Sequence, residues 1–191
     1  GYKQTEVGVI PGDWEVVSLG SVGTFAKGQG IRKDEAASGE IPCVRYGELY
    51  TRHANHVKEF HSHISADVAK TSRLLKKGDL LFAGSGETKE DIGKCAAVLV
   101  DFPVYAGGDI VVLTPKKGDS CFLGYLSNAP EIARQKASMG QGDAVVHISA
   151  TALATVVLCF PPLPEQRAIA AALPSRGTDN VSAWSSMCAP F

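Results

Sequence analysis

Glycine and proline interrupt this chain so often that no apolar stretch runs longer than residues 152–160, and Thr155 breaks even that one. A membrane-spanning helix needs about 20 consecutive apolar residues, so none is expected. Only short strands and short helices fit between the interruptions. The chain has 191 residues, 45% apolar and 20% charged. That is the composition of a folded domain with its own core, not of a disordered chain. One domain, or one domain with an appendage, is expected at this length. The first residues are polar and lack the apolar stretch of a secretory signal. The start at Gly1 rather than Met suggests trimming or a tag remnant.

Cysteine and charge narrow the setting. Cys43, Cys95, Cys121, Cys159 and Cys188 are odd in number, widely spaced and form no CxxC. They read as reduced thiols of a cytoplasmic protein. Lys+Arg 19 against Asp+Glu 20 gives a net charge of −1. This argues against a general polyanion binder, which is usually basic, but leaves room for a local basic face.

Residues 14–19 alternate as a strand after the Pro11-Gly12 turn. Gly20, Gly23, Gly28 and Gly30 predict a loose segment around Phe25. Residues 41–46 predict a short strand whose Pro42 belongs at an edge or a strand start. The polar stretch 53–65 holds four of the five histidines, and Ser65 is the expected N-cap of a helix. Lys76-Lys77-Gly78-Asp79 turns the chain into a buried strand, 80–83. The long glycine-punctuated loop that follows, 84–93, is of a kind more often functional than idle. Strands are expected at 94–100 and 110–114, then a helix capped by Asp119 or Ser120 and running to Asn128. Pro130 opens the next helix, through Met139. A strand at 144–148, a turn capped by Ser149 and a last strand at 155–160 follow.

Pro164 then opens an alanine-rich helix that Pro174 ends. So short a helix must dock to persist, and it is expected to lean weakly on the domain near the 155–160 strand. Residues 175–191 show no period and predict an irregular tail. The irregular interleaving predicts an α+β fold, a mixed, twisted β-sheet with several short helices. Residues 1–160 form the domain, 161–174 the helix start and 175–191 the tail.

Phe82-Ala-Gly-Ser-Gly86 matches the F-x-G-x-G turn of adenosylmethionine-dependent DNA methyltransferases. Such a turn should open an amphipathic helix, yet residues 87–93 hold a single apolar residue and another glycine. The partner motif, Asn or Asp before Pro-Pro and an aromatic, is missing, since Phe160 precedes Pro161-Pro162. His53, His56, His61 and His63 invite a metal reading, but no Cys lies among them and no helix aligns them. No G-x-S-x-G elbow and no G-x-x-x-x-G-K-[ST] phosphate loop occurs. No catalytic residue, cofactor or metal ligand is assigned.

A binding pattern remains, spread over four loop regions. It comprises Gln29, Arg32 and Lys33; Arg45 and Tyr46; Ser85, Thr88 and Lys89; and Lys136 and Gln141. Such side chains reach phosphates and base edges in a groove. Lys33, Lys89 and Lys136 are the expected phosphate contacts, and Gln29, Arg45 and Gln141 the expected base contacts.

The end of the chain carries a resemblance. His147-Ile148-Ser149, followed by Pro161-Pro-Leu-Pro-Glu-Gln-Arg-Ala-Ile-Ala170, is similar to a junction in type I restriction–modification specificity (S) subunits. There it joins a target-recognition domain to a conserved helix. Gly12-Asp13-Trp14 with Leu19-Gly20, residues 41–47, Lys77-Gly78-Asp79-Leu80-Leu81 with Gly84-Ser85-Gly86, and residues 125–127 resemble the family in the same order. The likeness spans about residues 8–173. It implies a non-catalytic subunit, without cofactor, that recognises double-stranded DNA. In the family two such domains each read one half of a bipartite site, held apart by two long antiparallel helices. Those helices bind methyltransferase (M) subunits that methylate adenine at N6, and an ATP-driven restriction (R) subunit joins them. With Pro174 closing the helix, a truncated subunit with one domain is expected, and no stable complex with the methyltransferase subunit. An adenosylmethionine-dependent methyltransferase fragment and a folded remnant without function are the alternatives.

Overall fold

The most apolar segments of the sequence become neighbouring strands at the centre of the structure, a computed structural model that describes residues 1–173. The expected stop at Pro174 and the tail 175–191 lie outside the described residues. The strands are β1 (Tyr2–Thr5), β2 (Gly8–Pro11), β3 (Glu15–Ser18), β4 (Gly23–Lys27), β5 (Ile41–Val44), β6 (His56–Val57), β7 (Ser62–Ile64), β8 (Arg73–Leu74), β9 (Leu80–Ala83), β10 (Ser85–Gly86), β11 (Cys95–Val98), β12 (Tyr105–Ala106), β13 (Ile110–Pro115), β14 (Val146–His147) and β15 (Val157–Phe160). The helices are α1 (Tyr46–Thr51), α2 (Ala66–Thr71), α3 (Ser120–Leu126), α4 (Pro130–Met139), α5 (Ala150–Ala154) and α6 (Leu163–Ala172).

A five-stranded sheet has the order β4-β13-β9-β11-β6, antiparallel except for the β11–β6 pair. A second sheet has the order β7-β5-β12-β8. The ladders β1–β2, β3–β15 and β10–β14 complete the α+β architecture. Successive side chains of a strand face opposite sides. Leu80, Phe82, Val111 and Leu113 therefore enter one core, with residues of α3 to α6. Leu81, Ala83, Ile110 and Val112 enter another, with Val44, Leu49, Leu75 and Val104. Burial on both faces explains why 80–83 is uniformly apolar instead of alternating.

Helix starts follow local chemistry. Ser65 Oγ accepts from Val68 N, Asp119 Oδ1 from Phe122 N and Ser149 Oγ from Ala152 N, as the cap pattern predicts. Some segments differ from expectation, among them the 144–148 strand, which shortens to Val146–His147. The 41–46 strand ends at Val44, because Glu48 reaches back to accept from Arg45 N at 2.8 Å and the chain becomes helical at Tyr46. The loose 20–30 segment contains β4, where a side chain on Gly23 would collide with Thr114 O. The polar N-terminus forms the β1–β2 hairpin.

Two carboxamides take the place of missing strand partners, and a third joins two turns. Asn128 Oδ1 accepts from Cys95 N at 2.9 Å and its Nδ2 donates to Cys95 O at 2.7 Å. Gln135 does the same for Val157, accepting from its N at 2.8 Å and donating to its O at 2.9 Å. Gln166 accepts from Asp119 N and donates to Pro161 O, both at 2.8 Å. This last pair locks α6 onto the start of α3. Ile169 and Leu173 enter the core, Trp14 Nε1 donates to Glu165 Oε2 at 2.9 Å, and the Tyr125 hydroxyl donates to Leu173 O at 3.4 Å. α6 is thus an integral part of the packing, held more firmly than the weak lean expected for so short a helix.

Lys136, an expected phosphate contact, is corrected by its burial. It is 2% exposed, and its Nζ donates to Gly93 O at 2.6 Å and Ser127 O at 2.8 Å. From α4 it ties the end of the 84–93 loop to the end of α3, and it cannot reach a phosphate. Desolvation pushes its pKa down to about 8 from the ordinary 10.5, against the opposing influence of Cys95.

Two predictions follow from this packing. Gln166→Ala leaves the part-buried Asp119 N and the buried Pro161 O without their partner, and should cost about 2 kcal/mol in denaturant unfolding. Arg167→Ala, on the exposed side of the same helix, should stay within about 0.5 kcal/mol. The second concerns pH. Between pH 8 and 10.5 the unfolded chain keeps a proton on Lys136 that the folded chain releases. The Lys136 contribution to stability should rise with pH through that window, by about 3 kcal/mol, while the buried Cys43 and Cys95 thiols, pushed up to about 12 from 9, contribute a fall above pH 9. Lys136→Met lacks that rise, so the difference between the wild-type and variant stabilities should grow with pH across the window.

Candidate functional site

Strand direction decides which loops can meet. β4 and β9 both run antiparallel to β13. The exits of β4 and β9 and the entry of β13 therefore lie at one end of the five-stranded sheet. Backbone hydrogen bonds join the loops there: Gly28 N to Ile110 O at 2.8 Å, Gln29 N to Ala106 O at 3.1 Å, Gly108 N to Gly30 O at 2.9 Å and Gly84 N to Asp109 O at 2.7 Å. Gly107 N donates to Val44 O at 3.0 Å, which brings in Arg45 beside it. The Tyr50 hydroxyl of α1 donates to Ser85 O at 2.8 Å. Ser85 pairs with His147 in the β10–β14 ladder. His147 in turn exchanges both backbone hydrogen bonds with Gln141, at 2.8 and 3.0 Å. Segments far apart in the chain thus form one continuous hydrogen-bonded edge.

The expected site residues take different places on this edge. Gln29, Arg32, Lys33, Lys89 and Gln141 are exposed, Tyr46 is exposed at the start of α1, and Arg45 is half-buried. The three ion pairs among the described residues are Lys70–Asp67, Lys77–Asp101 and Arg134–Glu131, so Arg32, Lys33, Arg45 and Lys89 enter none of them. The hydroxyls of Thr88 and Ser85 are occupied. Thr88 bonds Asp91 and shapes the 84–93 loop, and Ser85 Oγ lies 2.9 Å from His147 Nδ1. Lys136 lies in the core, away from the edge. Asp34, Glu87, Glu90, Asp91, Asp109 and Asp143 are exposed on the same loops, so the edge carries both signs of charge.

The backbone here is strained. Ile31 and Asp109 both have φ of 59°, the left-handed region that non-glycine residues rarely enter and that costs most for a β-branched side chain. Asp109 also borders a cavity of about 480 Å³, of ligand-binding size. Phe25, Ile110 and Ile148 give it apolar walls, and Lys27, Ser85 and His147 supply polar groups.

His147, Asp109 and Tyr50 are absent from the sequence-derived site. The sequence offers a signal for Asp109, in the Gly107-Gly108 pair before it, and for His147, in the His147-Ile148-Ser149 segment that resembles the family, but none for Tyr50, whose importance comes from Ser85. The glycine turn Gly84-Ser85-Gly86 opens no helix; it enters β10. The four histidines of the 53–65 stretch do not gather into one cluster, although the rings of His53 and His61 lie 6.0 Å apart. His53 is buried, while His56 Nε2 lies 3.0 Å from Cys121 O and its ring meets Tyr125 edge-on. Burial pushes the pKa of both below the ordinary value. Among the described residues no three His, Cys, Asp or Glu side chains gather as metal ligands, and no helix is long and apolar enough to cross a membrane.

Comparison with known proteins gives a consistent result. The chain is 25% identical over 186 residues to the type I restriction enzyme MjaVIII specificity subunit of Methanocaldococcus jannaschii, covering 91% of this chain and 42% of that protein. It is 24% identical over 177 residues to the MjaIX specificity subunit of the same organism, covering 90% and 40%. In three dimensions it is similar to the HsdS subunit from Thermoanaerobacter tengcongensis, with a TM-score of 0.61 at 18% identity over 97% of this chain and 41% of that one. The S subunit from M. genitalium gives a TM-score of 0.57 at 15% identity over 83% and 37%. The chain spans about two fifths of the length of these relatives. A family model described as the type I restriction modification DNA specificity domain matches residues 11–178, most of the chain, and the chain belongs to that family.

Proposed function

We propose that this chain recognises double-stranded DNA in a sequence-specific manner, reading one half of a bipartite site with the loops at one end of its five-stranded sheet. The observation that carries this reading is the convergence of four sequence-distant loop regions on that end. Lys33 and Lys89 serve phosphates, Arg32 supports them, and Gln29, Arg45 and Gln141 face base edges, with Tyr46 beside Arg45. Ser85 and Thr88 act by shaping the loops that present those side chains. In its family such a domain directs methyltransferase and restriction subunits to the site it reads; with α6 only ten residues long, no stable complex of this chain with the methyltransferase subunit is expected.

The net charge of −1 leaves little general attraction for a polyanion, so affinity must come from local contacts. Binding of a fluorescent duplex should be detectable at low salt, and the logarithm of its binding constant should fall linearly with log salt concentration. The double variant Lys33→Gln/Lys89→Gln should flatten the slope by about two phosphate contacts. Absence of duplex binding at low salt, or binding indifferent to salt, would contradict the proposal.

A further inference from the structure

The structure assigns His147 as a base-reading residue: we propose that its Nε2–H, aimed by Ser85, donates to an acceptor atom on a base edge in the major groove. This inference rests on the DNA-reading proposal above. His147 is exposed, yet its backbone is fixed on two sides, by the ladder to Ser85 and by the bridge to Gln141. Its ring is fixed as well, with Nδ1 2.9 Å from Ser85 Oγ. Ser85 is 4% exposed and is itself held through its carbonyl by Tyr50. A ring so constrained on a solvent-facing edge has lost most of its freedom before any ligand arrives, which is the economy of a recognition group.

Ser85 is 4% exposed, and the hydrogen bond of its hydroxyl among the described residues is the one to His147. Base reading uses the orientation in which that hydroxyl donates to Nδ1, which places an imidazole proton on Nε2. Nε2 makes no hydrogen bond among the described residues, so this exposed residue, which with Ser85 borders the cavity, keeps a donor available to a ligand. A lone donor selects acceptor atoms, which the major groove supplies as purine N7, guanine O6 and thymine O4. Phosphate oxygens offer the same chemistry without sequence information.

The test is selection of bound sequences from a randomised duplex library by the full chain, by His147→Ala and by Ser85→Ala. Thermal unfolding of each variant serves as the check on folding. The wild-type chain should enrich a defined sequence. His147→Ala should lose preference at one base position by about 10-fold and keep the others. Ser85→Ala, with the ring present but no longer aimed, should relax the same position more mildly, and the double variant should match His147→Ala. A purely structural role for His147 would weaken all positions together and lower the unfolding temperature. An unchanged sequence preference in His147→Ala overturns the inference while leaving DNA reading intact. Uniform weakening with a shallower salt dependence makes His147 a phosphate contact and overturns it too. A wild-type chain that selects no sequence overturns it together with the reading on which it rests.

Discussion

The structure depends on β9 being enclosed on every side. Its four residues are fully buried, β13 and β11 flank its edges, and separate cores cover its two faces. A strand so enclosed cannot shift register without moving apolar side chains from one core to the other. Its exit is therefore fixed at Ala83, and with it the start of the 84–93 loop. Glycines at the exit let distant parts of the chain close in. A side chain on Gly84 would press on Asp109 O, and one on Gly86 on the Tyr50 hydroxyl. The rigid strand positions a loop, and the small residues after it admit three neighbouring segments to one edge.

Around that strand, polar side chains do work usually left to backbone. Asn128 and Gln135 each bond both groups of one strand residue, and Gln166 bonds one group at each of two turns. Lys136 holds two carbonyls. Short strands leave many backbone groups unpaired at their ends, and buried backbone groups need partners. In a fold assembled from two- to six-residue strands, such side chains supply them.

These same groups mark where the sequence stops being legible. The caps at Ser65, Asp119 and Ser149 and the Pro130 helix start follow from chemistry within one helical turn, so they are readable. β4 is not, because Thr24 and Phe25 become strand residues only by pairing with Thr114 and Leu113, far along the chain. Lys136 resembles any surface lysine on an amphipathic helix until the carbonyls of Gly93 and Ser127 are placed around it. At the site, Gln29, Arg32, Lys33, Lys89 and Gln141 are exposed as their chemistry suggests. Ser85 stands out in the sequence as a site candidate, but its hydroxyl is spent on His147, a partner that only the β10–β14 ladder reveals. Mixed charge on these loops also explains why composition alone points to no partner.

The central claim is that one end of the five-stranded sheet, and not another face, meets DNA. Hydrogen exchange of the full chain, with and without a saturating duplex carrying a sequence the chain selects, tests it directly. Protection should concentrate in residues 28–33, 45–50, 84–93 and 141–147, and the opposite end, around 115–119, should be unchanged. Protection confined to that opposite end or to α6, with the four loop regions exchanging as in the free chain, would contradict the account.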